Sequence, residues 1–360
     1  MKKRVLSFLT AAVMTTAMIL SGCSGSQTAA TTAAPASAET KAETTEAAKT
    51  EAATTTAAPA EKKEIVVGFS QVGAESDWRT ANTESMKSTF TEANGYKLIF
   101  DDAQQKQENQ LKAVRNFIQQ DVDYIVIAPV TETGWDTVLQ EAKDAGISVI
   151  IVDRMINVSD DSLYTAWVGS NFLQEGYDAV AWLDEYLKKN NRADEDINIV
   201  TLQGTIGSSA QIGRTNGVEE KMKDHPKWKM LERQTGEFTQ AKGQEVMESF
   251  LKTYDDIDVV IAENDNMAFG AIDAIKAAGK TCGPKGDITV ISFDAVAAAF
   301  DSMIAGDMNV SVECNPLHGP RVAEIIQKLE KGEKVDKIAY VKEGVFPADT
   351  AAAEKPKRQY

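Results

Sequence analysis

The chain has 360 residues, 43% of them hydrophobic and 26% charged, with 54 acidic against 38 basic side chains. This length suits about two domains, and the apolar fraction is ample for a packed core, which excludes a globally disordered protein. The net charge of -16 argues against a nucleic-acid-binding protein, because such a protein needs a basic surface.

The first 22 residues are typical of a lipoprotein signal peptide. Basic residues at positions 2–4 precede an apolar stretch over 5–20, which is shorter than the ~20 residues that a membrane-spanning helix needs. The sequence Leu-Ser-Gly-Cys that ends at Cys23 resembles the bacterial lipobox. We therefore expect Cys23 to be diacylated and to anchor the mature chain to the outer face of the cell membrane. Ordinary cleavage at small residues, with Cys23 incidental, is the alternative.

Residues 23–63 are expected to form a disordered linker between this lipid anchor and the folded part. Beyond Cys23 they are almost entirely Ala, Thr, Glu, Lys, Ser and Pro, with no aromatic side chain. Such a composition cannot bury enough apolar surface to offset the entropy of ordering. The Ala, Glu and Lys content leaves transient helix as an alternative.

From Glu64 onward, runs of β-branched residues alternate with amphipathic segments. Strands are predicted over 65–69, 97–100, 124–127, 148–152, 197–202, 259–262 and 288–293. Helices are predicted over 108–119 and 135–145, the second closed by Gly146 as a left-handed cap. This alternation predicts parallel sheets built from βαβ units, and its length favours two α/β lobes over one open sheet.

Polar side chains follow nearly every predicted strand. The strand exits are Ser70-Gln71, Asp101-Asp102, Asp153-Arg154, Gln203-Gly204, Asn264-Asp265 and Asp294. Ligands of open α/β sheets bind outside the carboxyl ends of the strands, so these exits predict a ligand cleft. Capping of helix N-termini is the alternative for Asp102, Asp265 and Asp294, but it does not account for Arg154, Asn264 and Gln203.

The sequence offers no pattern for a metal site or a cofactor. Cys282 and Cys314 could pair outside the cytoplasm, but nothing in the sequence brings them together, so we expect both to be unpaired. His225 and His318 are far apart, without a cysteine–histidine cluster. No cofactor and no metal are therefore expected.

Motifs in fixed order over residues 64–360 resemble bacterial sugar-binding proteins of the ribose-binding type. They are the segment 67–73 with Ser76, Trp78 and Arg79, the run 102–110, Val152-Asp153-Arg154, the segment 202–205 through Arg214, Gly236-Glu237-Phe238, the segment 264–267, and Ser292-Phe293-Asp294. The Ser-x-Trp-Arg loop and the Gln-Gln-Lys-Gln-Glu-Asn-Gln run look closest to the galactofuranose-binding members that serve ABC importers. Ala295 departs from the pattern, since relatives usually carry glycine there.

The resemblance implies the type I periplasmic binding protein fold: two Rossmann-like lobes with parallel sheets, joined by a three-stranded hinge and closing on one sugar. The N-terminal lobe would comprise residues 64–168 plus 314–341, and the C-terminal lobe residues 169–313 plus 342–360.

The resemblance also implies a set of ligand-binding residues. A sugar presents paired hydroxyls and a patch of C–H bonds, so its site needs charged or amide groups and an aromatic face. Trp78 is expected to stack on the sugar and Arg79 to read its hydroxyls, while Phe238 could instead be core and Glu313 a solvated hinge residue. The implied set is Ser76, Trp78, Arg79, Asp153, Arg154, Arg214, Phe238, Asn264, Asp294 and Glu313.

The expected function is capture of a monosaccharide, galactofuranose in the first place, and its delivery to an ABC transporter permease by a monomeric protein that touches the membrane only through its lipid. Ribose, arabinose or galactose and a sensory role toward a chemoreceptor or kinase are alternatives. An enzyme is not expected, because a glycoside hydrolase needs a carboxylic acid of raised pKa, whereas arginines in the same cleft favour ionised carboxylates. A repressor of this fold would need a DNA-binding segment where residues 1–63 offer an export signal.

Overall fold

The computed structural model describes residues 64–360, so the predicted signal peptide, Cys23 and the linker lie outside the described residues. The strands are β1 (Ile65–Gln71), β2 (Tyr96–Asp102), β3 (Tyr124–Ile127), β4 (Ser148–Val152), β5 (Ala166–Gly169), β6 (Ile197–Gln203), β7 (Trp228–Thr235), β8 (Val259–Ala262), β9 (Thr289–Asp294), β10 (Val310–Glu313), β11 (Ile338–Tyr340) and β12 (Val345–Pro347). The α-helices are α1 (Asp77–Thr89), α2 (Gln107–Gln119), α3 (Asp136–Asp144), α4 (Phe172–Lys189), α5 (Ser209–Met222), α6 (Gln240–Thr253), α7 (Asp265–Ala277), α8 (Ala297–Ala305), α9 (Gly319–Glu330) and α10 (Ala351–Glu354).

Each of the strands predicted from sequence is present, and so are the two predicted helices. Gly146 follows α3 with a φ of 76°, as expected for a left-handed cap. The prediction missed β5, β7, β10, β11 and β12. Three of these, β7, β11 and β12, are edge strands, and their mixed polar and apolar sequences lack the buried run that marks a central strand.

The strands form two six-stranded sheets. The order in the first is β11-β5-β4-β3-β1-β2, and in the second it is β12-β10-β9-β8-β6-β7. The pairings are parallel except between β10 and β12, which run antiparallel. We call the first sheet with its helices lobe one and the second with its helices lobe two. The predicted fold class, two α/β lobes with largely parallel sheets, is confirmed.

The chain passes between the lobes three times. The crossovers lie between β5 and α4, between β10 and α9, and between β11 and β12. The last crossover is short, since only four residues separate the end of β11 in lobe one from the start of β12 in lobe two. In lobe two, β12 runs antiparallel to β10.

Helices cover both faces of each sheet, so the central strands are buried throughout. In β3, Ile125 and Ile127 pack in a cluster with Val114 of α2, whereas Val126 packs in a separate cluster with Ile326 of α9. This alternation around one strand is what a parallel sheet with two covered faces requires. No helix within residues 64–360 combines the length and the apolarity needed to traverse a bilayer.

Two glycines let α4 and α5 approach closely in lobe two. A Cβ atom at Gly217 would lie 2.4 Å from the carbonyl oxygen of Leu173, and one at Gly176 would lie 2.7 Å from that of Arg214. Real Cβ atoms do not approach backbone this closely, so side chains here would force the helices apart. This packing fixes the position of the turn that carries Arg214.

Gly217→Ala is therefore expected to lower the free energy of unfolding by about 1–3 kcal/mol, the range for overpacking. Gly344→Ala is the control, because its new methyl group would meet the nearest atom, in Phe346, at 3.4 Å, an ordinary contact. Chemical denaturation of both variants measures the difference. Equal stabilities would show that the helix pair has room for a side chain.

Candidate functional site: a buried cleft between the lobes

A cavity lies between the lobes, outside the carboxyl ends of the strands. Its lining residues come from both lobes and are Glu75, Ser76, Trp78, Arg79, Asp153, Arg154, Phe172, Ala210, Arg214, Phe238, Asn264, Asp294 and Cys314. The set implied by the sequence is thus brought together here with one exception, Glu313. The side chains are almost wholly buried, which shows that the lobes are closed on each other.

The guanidinium of Arg79 is held by three side chains of lobe one. Its Nε donates to Glu75 at 3.0 Å, one terminal nitrogen donates to Gln71 at 3.2 Å, and the other lies 2.8 Å from Asp153 Oδ2. Burial by itself lowers the pKa of Arg79, but the carboxylates of Asp153 and Glu75 outweigh burial and raise it above its ordinary value. The expected contact between Arg79 and sugar hydroxyls stays a prediction, to be served by its remaining N–H groups.

Arg154 lies beside the same carboxylates with weaker pairing. Its nitrogens are 3.8 Å from Glu75 and 4.0 Å from Asp153, and one donates to the carbonyl oxygen of Val130 at 3.1 Å. Burial, followed by repulsion from Arg79, lowers the pKa of Arg154 to about 10. Two arginines and two carboxylates thus balance in formal charge on the lobe-one side of the cavity.

Lobe two contributes a second charge cluster around Arg214. Its Nε donates to Glu175 at 2.6 Å, a terminal nitrogen lies 3.4 Å from Asp294, and another donates to the carbonyl oxygen of Glu263. Burial raises the pKa of Asp294 well above its ordinary value in spite of Arg214, and burial also raises the pKa of Glu175. One arginine with two carboxyl groups is neutral when one of the two is ionised, and the raised pKa values disfavour ionisation of both at once.

Aromatic faces enclose the cavity. Trp78 of lobe one packs in the hydrophobic cluster of lobe two that contains Phe172 and Phe238. The ring of Phe238 occupies the space that a side chain at Gly204 would need, since a Cβ there would lie 1.9 Å from the ring. The guanidinium of Arg154 sits 5.1 Å from the centre of the Phe238 ring, an attraction across the cleft.

Two lining residues also cap helices. Ser76 accepts a hydrogen bond from the backbone N–H of Arg79 at the start of α1, and Asn264 accepts one from Met267 at the start of α7. The amide of Asn264 also donates to the carbonyl oxygen of Phe238 at 3.1 Å. The sequence analysis set Asn264 apart from the helix caps, and this was wrong, because Asn264 is the N-cap of α7 and lines the cavity as well.

Several lining residues adopt backbone conformations that side chains disfavour. The φ angles are 62° at Asp153, 62° at Phe238 and 107° at Asp294, in the region that glycine prefers. Ala295 has a φ of 58° and donates its N–H to the buried Ser311 hydroxyl. Such strain persists only where the surroundings fix it, which is typical of a binding site.

The structure does not bring Glu313 to the cavity. Its carboxylate accepts hydrogen bonds from Arg358, from Tyr360 at 2.7 Å and from the backbone N–H of Gly344 at 3.0 Å. Glu313 therefore joins the second crossover to the third and to the C-terminus. The sequence alternative of a hinge residue fits this position, although the side chain is buried among partners instead of solvated.

Four lining residues were not predicted: Glu75, Phe172, Ala210 and Cys314. Glu75 could have been found, because it directly precedes Ser76 and stands four residues before Arg79 on the same loop. Cys314 immediately follows Glu313, so the residue expected from the family resemblance stands one position before the residue that lines the cavity. Both Cys314 and Cys282 are free and buried in the described chain.

Glu343 in the third crossover ties the three crossovers together. Its Oε1 accepts from Ser170 in the first crossover at 2.6 Å and from the backbone N–H of Asn315 in the second at 2.7 Å. The thiol of Cys314 lies 3.2 Å from the same serine hydroxyl. Burial, with repulsion from Glu175, raises the pKa of Glu343 to about 8 from an ordinary 4.5.

Glu343→Gln should reduce the amount by which the free energy of unfolding decreases as pH rises. As pH rises from 4.5 towards 8, the unfolded chain ionises at this position while the folded chain keeps its proton, so the group's contribution to stability is lost. A glutamine oxygen can accept both hydrogen bonds and cannot ionise. We expect the variant to gain at least ~1 kcal/mol over the wild type between pH 5 and pH 8. Denaturation at both pH values measures it, and parallel pH profiles would contradict the assignment.

A family model named periplasmic binding protein domain matches residues 67–334. The chain belongs to this family. Galactofuranose-binding protein YtfQ of Escherichia coli is 44% identical over 299 residues, which cover 82% of this chain and 92% of the relative. A Mycobacterium smegmatis protein solved in complex with β-D-fucofuranose is 44% identical, with a TM-score of 0.78 over 82% of this chain and 95% of that one. The binding component of the Shewanella sp. ANA-3 arabinose ABC transporter, bound to α- and β-L-arabinofuranose, is 46% identical, with a TM-score of 0.77 and the same coverage.

These comparisons make the chain a sugar-binding member of the periplasmic binding protein family. Its relatives are solute-binding proteins, not enzymes, and the family implies a location outside the cytoplasm.

Proposed function

We propose that this periplasmic binding protein captures a neutral furanose sugar, galactofuranose in the first place, and delivers it to an ABC transporter permease. It would do so as a monomer held at the outer face of the cell membrane by a lipid on Cys23. The observation that carries the proposal is a closed cavity lined by paired charges and aromatic faces from both lobes, in a chain similar to proteins named for furanose sugars.

The balance of charge favours a neutral ligand. Arg79 and Arg154 are matched by Glu75 and Asp153, while Arg214 is shared by two carboxyl groups of raised pKa. An anionic sugar acid would enter a site whose arginines are already paired, and it would pay for desolvation without a free cation in return. A neutral sugar needs only donors and acceptors, which these groups supply.

The lining of the cavity suits one sugar ring, which needs apolar faces and paired polar groups. Trp78 and Phe238 supply apolar faces for the ring. The proposed polar contacts are Ser76, Arg79, Asp153, Arg154, Arg214, Asn264 and Asp294. Glu75 joins them, because its Oε2 has no hydrogen-bond partner in the described chain and can accept from a hydroxyl.

The ring size of the preferred sugar is tested with two polyols whose five- and six-membered rings cannot interconvert. 1,4-Anhydrogalactitol has a fixed five-membered ring and 1,5-anhydrogalactitol a fixed six-membered ring. Calorimetric titration should give at least tenfold tighter binding of the five-membered compound, and no binding of galactonate. Tighter binding of the six-membered ring would overturn the furanose assignment. Matching titrations with arabinose test the second candidate, which the arabinofuranose-bound relative supports.

The carboxylate contacts are tested with Asp153→Asn. This change removes a charged acceptor and weakens the pairing of Arg79, so sugar affinity should fall by about 10- to 100-fold, which corresponds to ~1.5–3 kcal/mol. Asp136→Asn is the matched control, because that carboxylate accepts from Ser159 outside the cavity. If both variants bind sugar as the wild type does, Asp153 is not a ligand.

The lipid anchor is tested with Cys23→Ser. The variant should appear in the medium or the soluble fraction with unchanged sugar affinity, because the proposed anchor is separate from the cleft. Cell fractionation and titration measure the two properties. Retention on the membrane would refute the anchor.

A further inference from the structure

Three hydrogen bonds join the lobes beside the cavity without using a side chain that lines it. On one side, the backbone N–H of Asp77 donates to Asn266 Oδ1 at 3.0 Å. On the other side, the backbone N–H of Met155 donates to Ser209 Oγ at 2.8 Å, and that of Glu132 donates to the carbonyl oxygen of Gly207 at 3.0 Å. The donors belong to lobe one and the acceptors to lobe two.

The accepting side chains do not serve their own helices. The N-cap of α7 is Asn264 and that of α5 is Ser208, and each already accepts from a backbone N–H of its own helix. Asn266 and Ser209 stand just after these caps, and their hydrogen bonds to the opposite lobe are made by buried side chains. Helix capping therefore does not explain them.

These positions alternate along the chain with the cavity lining. Asp77 follows Ser76, Met155 follows Arg154, and Ser209 precedes Ala210, where the second residue of each pair lines the cavity. The same segments thus line the cavity with one residue and contact the opposite lobe with the next. A bond between the lobes exists only when the cleft is closed.

We propose that Asn266 and Ser209 form an interlobe latch, in which they act as positioning residues that stabilise the closed state and set the affinity for every sugar by the same factor. This inference rests on the proposed function for its binding assay. A ligand that binds only the closed form has an apparent affinity reduced by the fraction of protein that is closed. Removing a latch hydrogen bond lowers that fraction whatever sugar is bound, whereas removing a ligand contact changes sugars unequally.

The test compares Asn266→Ala, Ser209→Ala and the double variant with the wild type. Each single change should lower affinity by about 2- to 10-fold, the equivalent of one hydrogen bond, and the double change by the product of the two. Titrations with 1,4-anhydrogalactitol, galactose and arabinose should keep the ratios between sugars unchanged, while the sugar dissociates faster. Ser209→Thr keeps the hydroxyl and should restore binding.

Asn309→Ala is the matched control. Asn309 is also buried, and its Oδ1 accepts from the backbone N–H of Val290 at 2.8 Å within lobe two, away from the cleft. It should lower the melting temperature without lowering affinity. If Asn309→Ala lowers affinity as much as the latch variants do, then loss of stability by itself lowers affinity, and the proposal is overturned.

Two further outcomes would also overturn the latch: affinity ratios that change between sugars, or affinity that stays at the wild-type value in the double variant. If no sugar binds the wild type, the proposed function fails by itself. The latch is then decided by small-angle scattering of ligand-free protein, where the double variant must have the larger radius of gyration and an unchanged radius refutes it.

Discussion

The pairing of buried charge within each lobe is the constraint on which the cleft depends. Arg79, Arg154 and Arg214 are each almost fully buried, and a buried charge without a partner would be far too costly to keep. Lobe one supplies Glu75 and Asp153 for its two arginines, and lobe two supplies Glu175 and Asp294 for its one. The cleft can therefore close with its charges already compensated, and its hydrogen-bonding groups are held in place before a ligand arrives.

The fold of the two lobes places these charged side chains at the cleft. Parallel strands bring the exits of β1, β4, β8 and β9 to the facing edges of the two sheets, which is where these charged and amide side chains lie. Positive φ angles at Asp153 and Asp294 turn the chain sharply as it leaves β4 and β9. The close contact of α4 with α5 fixes Arg214 opposite them. The hinge then carries its own polar network through Glu343 and Glu313, which meets the cavity at Cys314.

Much of this architecture could be predicted, because the signals are local. The β-branched run of β3 and the amphipathic pattern of α2 are explained by neighbours a few residues away. The edge strand β7 could not be predicted, since its Lys229, Glu232 and Arg233 give it the composition of an exposed segment. The crossovers were available only from the family resemblance, because composition does not record which lobe a strand joins.

The residues of the site were likewise predictable where the signal is local and not where their partners are distant in sequence. Asp153-Arg154 was conspicuous as a charged pair after a buried strand, and both residues line the cavity. Glu313 was misplaced because its partners Arg358 and Tyr360 come from the C-terminus, more than forty residues away, and no local pattern announces that return. Glu75 was missed although it stood beside the motif, since its role depends on guanidinium groups contributed by α1 and by the exit of β4.

The proposed selectivity of the closed, charge-balanced cleft for a neutral five-membered sugar ring can be tested directly. The most direct measurement is a carbon NMR spectrum of galactose labelled at C1 and bound to the protein, because the anomeric carbon of a furanose resonates apart from that of a pyranose. The bound signal should be that of the furanose, although free galactose is mainly pyranose. A bound pyranose signal would contradict it.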